Sequence, residues 1–160
     1  MKNLTLKIVS GGQTGVDLGA LKVAKKEGIP TGGCLPKGCK TEDGVDLSLK
    51  INYNMYESKK SDYKDRTEQN VIKTDATVII TGVKSRGSDL TKKICEKFAK
   101  DYLLVDINDL DASEKIVNFV KEIFNKKSRK VILNVAGNRE SKYPGIENKT
   151  IEILEKCFSI

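Results

Sequence analysis

The chain predicts a doubly wound α/β domain: a three-layer sandwich whose mainly parallel sheet of about five or more strands is covered by helices on both faces. Three observations predict it. Short β-branched runs alternate with amphipathic helical patterns, which builds right-handed βαβ units and a parallel sheet. Several of these runs end at once in a glycine-rich turn. The composition, 38% hydrophobic and 32% charged over 160 residues, suits a single globular domain spanning 1–160.

The elements follow in order. Leu6–Val9 reads as the first strand, and the helical pattern after Thr14 stops at Gly28, a C-terminal glycine. Ile29–Leu35 is a weaker strand, interrupted by Gly32 and Gly33. Residues 36–62 have little periodicity and read as a lid, a subunit-contact arm or an extra hairpin. Tyr63–Asp75 is polar but helical in spacing, with Tyr63, Arg66, Thr67, Asn70 and Thr74 on one face. A solvated face is the ordinary reading of that stripe; a wall for a ligand crevice is the other. Val78–Ile80, Tyr102–Ile107 and Val131–Val135 are further strands, with helices at Ser88–Lys100, Asp111–Lys126 and about 148–158. Asp111, with Glu114 three residues on, is expected to cap its helix.

Composition excludes several chemistries. The chain has no His, which removes Ser-His catalysis, imidazole acid–base chemistry and most zinc sites. Cys34, Cys39, Cys95 and Cys157 form no C-x-x-C pair and read as reduced, buried thiols with no metal role. Met1-Lys2-Asn3-Leu4 runs into a strand without an apolar signal segment, and no apolar run reaches the roughly 18 residues of a membrane span. A cytoplasmic protein without a membrane partner is expected. The net charge of +7 favours anionic partners, but aromatics are only 6% and the lysines are dispersed, which fits a small phosphorylated ligand better than nucleic acid.

Ligands of doubly wound sheets bind beyond the carboxyl ends of the strands, so the turns there hold the candidate site. After the first strand come Gly11, Gly12, Gln13, Thr14, Gly15 and Asp17; glycines and helix-start amides attract an anion, although the run is neither G-x-G-x-x-G nor a P-loop. A second turn carries Gly82, Arg86, Gly87, Ser88 and Thr91, with Arg86 suited to a bidentate phosphate contact and Ser88 alternatively a plain helix cap. If the strands at residues 6 and 78 are neighbours, the two turns face each other across one crevice. A third turn carries Gly137, Arg139, Glu140 and Ser141, where Arg139 and Glu140 are either a surface ion pair or ligand contacts.

These blocks together resemble the molybdenum carrier proteins, related to the molybdenum-cofactor carrier proteins, within the Rossmann-like superfamily that includes cytokinin-activating phosphoribohydrolases. The resemblance spans nearly the whole chain. It rests on Ser10-Gly-Gly-Gln-Thr-Gly-Val-Asp17, Gly33-Cys-Leu-Pro-Lys-Gly38, Glu42-Asp-Gly44, Tyr63-x-x-Arg66-Thr67-x-x-Asn70, Asp75-Ala-Thr77, Leu133-Asn-Val-Ala-Gly137, Arg139-Glu-Ser141 and Pro144-Gly-Ile146. It implies a Rossmann-like fold, a homo-oligomer (dimer or tetramer), and a crevice for the molybdenum cofactor, molybdopterin with molybdate attached, to be passed to molybdoenzyme recipients. The cofactor's phosphate would suit the Gly11–Gly15 or Gly87–Ser88 turn, with Lys37, Arg86 and Arg139 balancing the remaining charge. The chain departs from the family pattern at Leu18-Gly19, where a basic residue and Ala are expected, at Asn138, where Pro is expected, and over Val45–Met55.

The phosphoribohydrolases of that superfamily carry Pro-Gly-Gly-x-Gly-Thr-x-x-Glu, whereas this chain has Arg86-Gly-Ser-Asp-Leu-Thr91 and no matching Glu. The expectation is a non-catalytic carrier. A nucleotide monophosphate phosphoribohydrolase, needing Asp17, Asp89 or Glu140 as substitutes, is the alternative, and a nucleotide sensor is a third reading.

Overall fold

The computed structural model describes residues 1, 4–60, 62–128 and 130–159. In chain order the elements are β1 (Leu6–Val9), α1 (Val16–Lys26), β2 (Thr31–Leu35), the short hairpin β3 (Lys40–Thr41) and β4 (Gly44–Val45), α2 (Ser48–Asn52), β5 (Met55–Glu57), α3 (Tyr63–Ile72), β6 (Ala76–Thr81), α4 (Arg86–Lys97), β7 (Asp101–Asp106), α5 (Ala112–Lys127), β8 (Val131–Gly137) and α6 (Ile146–Ser159). Six strands form one sheet in the order β5-β2-β1-β8-β6-β7, and every pairing within it is parallel.

Crossover handedness explains the layers. The chain steps one way along the sheet through β1, β2 and β5, and back toward it from β7 to β8; from β5 through β6 to β7 it steps the other way. Right-handed connections therefore put α1, α2 and α5 on one face and α3 and α4 on the other. Packing agrees: α6 lies against α1 and α5, while α3 packs on α4. The larger core fills the first face, where Ile8, Val78, Ile80, Leu133 and Val135 meet Val16, Ala20, Ile116, Val120 and Leu154. The second face has a small core of Val71, Ile94 and Cys95. A third cluster, Leu21, Leu35, Cys39, Leu49 and Met55, anchors the 36–62 segment against α1.

The sheet bears out the doubly wound, mainly parallel reading and corrects it in detail. A sixth strand, β5, lies within the segment 36–62, which also contains one short helix and a hairpin, the last of the three readings given for it. β1 and β6 are not neighbours, because β8 is inserted between them and pairs with both. Asp111 occupies the cap position of α5 but makes no side-chain cap bond; its backbone is close to helical (φ −94°, ψ 8°) rather than extended, so only its carbonyl serves the helix, accepting from Lys115 N at 3.0 Å. Gly28 does end α1, in the left-handed region at φ 67°. No helix of the described residues is long and apolar enough to cross a membrane.

Candidate functional site

A cleft of about 590 Å³ opens at the carboxyl ends of β1, β8 and β6, between α3 and the first turn of α4. That volume is within the range of small-molecule sites. Of the residues singled out from the sequence, Gly11, Gln13, Asp17, Arg66, Arg86, Gly87, Thr91, Gly137 and Arg139 line it. The turns after β1 and β6 thus share one cleft although their strands are not adjacent, because β8 supplies the floor between them. Gly12, Thr14, Gly15, Lys37, Gly82, Ser88, Glu140 and Ser141 are not among the lining residues, and neither is Asp89.

In the turn after β1 the glycines answer mainly to the protein itself. A Cβ on Gly11 would lie 1.2 Å from Arg66 Nη1, so only Gly allows the guanidinium to lie there. Gly15 (φ 78°) abuts the Asn138 carbonyl, and a Cβ on Gly12 would strike Leu35. Arg66 Nη1 donates to Asp17 Oδ2 at 3.2 Å, with side chains 12% and 6% exposed. The same oxygen accepts from Gln13 N at 3.3 Å. Burial pushes the Asp17 carboxyl above its ordinary range, against the pull of Arg66. The amides of Gln13, Thr14 and Val16 are taken by Asp17 Oδ2, Gln13 Oε1 and Asn138 O, so this turn is closed by internal bonds rather than an open nest of donors at those positions.

The turn after β6 is held by a residue the sequence did not single out. Asn138 Oδ1 accepts from Gly82 N at 2.8 Å and Val83 N at 3.2 Å, while Nδ2 donates to Ser85 Oγ at 3.0 Å and Ser88 Oγ at 3.4 Å. Asn138 stands where the resembling family carries proline, which has no side-chain amide to make these bonds. Ser85, not Ser88, is the N-cap of α4, accepting from Ser88 N at 3.2 Å. Arg86 and Gly87 follow in the first helical turn, whose leading N–H groups have no intrahelical acceptor and favour negative charge.

The stripe on α3 faces the cleft rather than solvent. Tyr63, Arg66, Thr67 and Asn70 line it. Thr74 is buried, its hydroxyl donating to Asn70 O at 2.7 Å. Asn70 ties α3 to the sheet, accepting from Cys34 N at 2.7 Å and donating to Cys34 O at 3.1 Å and Ser10 O at 3.4 Å. The Tyr63 ring carries two guanidinium groups, Arg139 at 5.0 Å and Arg66 at 5.8 Å.

Glu140 is neither an ion-pair partner of Arg139 nor a cleft residue. Its carboxylate accepts from Gly145 N and, at 3.1 Å, from Glu147 N, and so caps α6. Glu42, at the hairpin tip, is a second residue that local pattern did not mark. Its carboxylate accepts from Thr14 Oγ1, from Ser141 Oγ and, at 3.1 Å, from Ser141 N; its own amide donates to Gln13 Oε1 at 2.8 Å. Partial burial works to raise the Glu42 carboxyl, but the bonds from Ser141 and Thr14 outweigh it and hold the group below its ordinary range. Lys37 lies exposed, away from the cleft; Lys84 and Lys142 line it instead.

Five cationic side chains, Arg66, Lys84, Arg86, Arg139 and Lys142, face a single lining carboxylate, Asp17, which is already paired. Such a site attracts anions. The four thiols are free and buried, and burial raises each of them, Cys157 to about 11. Among the described residues no group of three His, Cys, Asp or Glu side chains is placed to hold a metal ion.

The profile of the circularly permutated YpsA SLOG family matches residues 8–158. Among solved structures, the crystal structure of a protein from Syntrophus aciditrophicus SB, named there "Putative molybdenum carrier protein", is 38% identical, with 98% of this chain and 96% of that chain covered and a TM-score of 0.82. No curated protein matches the chain.

Proposed function

The chain belongs to the circularly permutated YpsA SLOG family, and from that premise we propose that it is a carrier for an anionic, phosphate-bearing small molecule, the molybdenum cofactor, bound in the cleft and released intact. The observation that carries this reading is the charge of the cleft: five cations around one carboxylate that is itself bonded to Arg66. The first turn of α4 with Arg86 is the seat for the phosphate. Arg139 and Lys142 balance the remaining negative charge. Metal held through the cofactor requires no protein ligands, which suits the side chains present. Carrying demands donors and enclosure but no proton shuttle, and of the three carboxylates an N-glycosidic hydrolysis would draw on, Asp17 is bonded to Arg66, Glu140 caps the start of α6 and Asp89 does not line the cleft.

The same reading includes a homo-oligomer in the cytoplasm that hands its cargo to molybdoenzymes. The exposed apolar side chains of Val45, Leu47 and Ile51, on the hairpin and α2, support the oligomer. Anaerobic purification from a molybdenum-replete host, followed by oxidation, tests the cargo: pterin fluorescence and molybdenum should co-purify in equal amounts, and protein free of both overturns the reading. Incubation with nucleotide monophosphates should release no free base.

A further inference from the structure

Three residues that line the cleft each carry a buried polar atom with no partner among the described residues: Gln13 Nε2, Arg66 Nε and Asn134 Oδ1. A buried polar group without a partner is costly, and a group of them on one wall calls for a function. Each belongs to a side chain whose opposite end is fixed. Gln13 Oε1 accepts from Thr14 N at 3.1 Å and Glu42 N at 2.8 Å, so the amide is held by its oxygen and its NH₂ is the end left over. Arg66 is moored through Nη1 to Asp17. Asn134 Nδ2 donates to Thr77 Oγ1 at 3.3 Å, which leaves Oδ1 as an acceptor. The unused groups are therefore two donors and one acceptor of set orientation.

Their placement limits the complement. Gln13 N and Arg66 Nη1 both bond the same Asp17 oxygen, so the two free donors belong to neighbouring side chains above Gly11. Two neighbouring donors suit one acceptor with two lone pairs, a carbonyl oxygen. Asn134 is the register partner of Val9, two residues below Gly11, and strand alternation turns it to the α3–α4 face, opposite Leu133 and Val135. That places the acceptor about 7 Å lower along the strand axis, within the reach of a fused bicyclic ring. Beside it, the guanidinium groups of Arg66 and Arg139 lie over the Tyr63 ring.

Resting on the carrier reading, we propose that Gln13, Arg66 and Asn134 read the lactam edge, O=C–N–H, of a 2-amino-4-oxopyrimidine ring, the unit shared by pterins and guanine. The carbonyl oxygen takes the two donors and an N–H or amino group of the ring meets Asn134. The site discriminates against adenine-type rings, which lack the carbonyl, as well as against bare phosphates. The hairpin completes the reader, because the Glu42 amide, with that of Thr14, holds the Gln13 oxygen.

Calorimetric titration of the whole chain with GMP, AMP and ribose 5-phosphate tests this. GMP should bind at least about tenfold more tightly than AMP, the equivalent of one lost hydrogen bond to a buried partner. Asn134→Leu and Gln13→Met should each reduce that ratio toward unity while leaving the affinity for ribose 5-phosphate within about twofold. Gln13 lies on a turn, so Gln13→Met decides the matter if Asn134→Leu does not fold. Equal affinity for GMP and AMP, no binding of GMP, or a ratio retained in a folded Gln13→Met variant overturns the proposal. Failure of the carrier reading looks different: Arg86→Ala would leave GMP and ribose 5-phosphate affinities unchanged.

Discussion

On the face covered by α1, α5 and α6, alternate positions of β1, β6 and β8 supply Ile8, Val78, Ile80, Leu133 and Val135, all fully buried. On the opposite face β6 and β8 supply Thr77, Ile79, Asn134 and Ala136, and α3 contributes Asn70 and Arg66 beside the buried Val71. The strands are shared, but the first face is covered by α1, α2, α5 and α6 and the second only by α3 and α4, which part at the carboxyl ends to leave the cleft. The larger apolar core lies on one side and the cleft on the other, and the second side tolerates unpartnered polar atoms because the first supplies most of the apolar burial that drives folding.

Substitutions can break this division or sharpen it. The largest effect on stability is expected from Ile116→Ala in the sealed face, which should lower the unfolding free energy by about 2–5 kcal/mol in urea titration. Asn138→Ala, at the boundary, removes all four bonds that clamp the β6–α4 turn. It should cost about 1–3 kcal/mol and also weaken ligand binding, whereas a purely structural residue would leave the affinity unchanged. Arg86→Ala should weaken binding of a phosphorylated ligand about tenfold with an unchanged urea midpoint. A shifted midpoint would place Arg86 in the scaffold.

Glu42 tests the hairpin's attachment through pH. Its folded-state carboxyl lies below the unfolded value of 4.5, so its stabilisation is present above that pH and disappears as pH falls through the folded value. Glu42→Gln should therefore cost about 1 kcal/mol at pH 7 and progressively less below pH 4.5, read from urea midpoints of the two proteins. The smallest effect belongs to the exposed pair Lys26–Glu155 between α1 and α6: Lys26→Ala should leave the midpoint within error.

The architecture was legible where periodicity is local. β1 and β2 end where the aliphatic runs end, and Gly28 stops α1 as its position suggests. β5 escaped notice because three residues on an edge, Met55-Tyr56-Glu57, carry no alternation to detect. Strand order was not legible, since the insertion of β8 between β1 and β6 depends on which face α5 crosses, a matter of tertiary handedness. Within the site, glycine turns and arginines stood out by type. Arg139 was placed correctly at the carboxyl edge, but Glu140 beside it caps α6, a role visible only once that helix is seen to begin at Ile146. Asn138 looked like a lapse from a proline pattern; its four bonds reach 50 or more residues back along the chain, and no spacing rule signals them.

The position of β8 also orders events during synthesis. The strands of residues 6–57 and those of residues 76–106 share no edge until residues 131–137 leave the ribosome and slot between them. Pairing at a separation of more than a hundred residues is slow to nucleate, and until it happens each half shows an open strand edge to its surroundings. A nascent chain therefore holds the turns after β1 and β6 with no floor joining them, and the cleft does not form before its last strand is home.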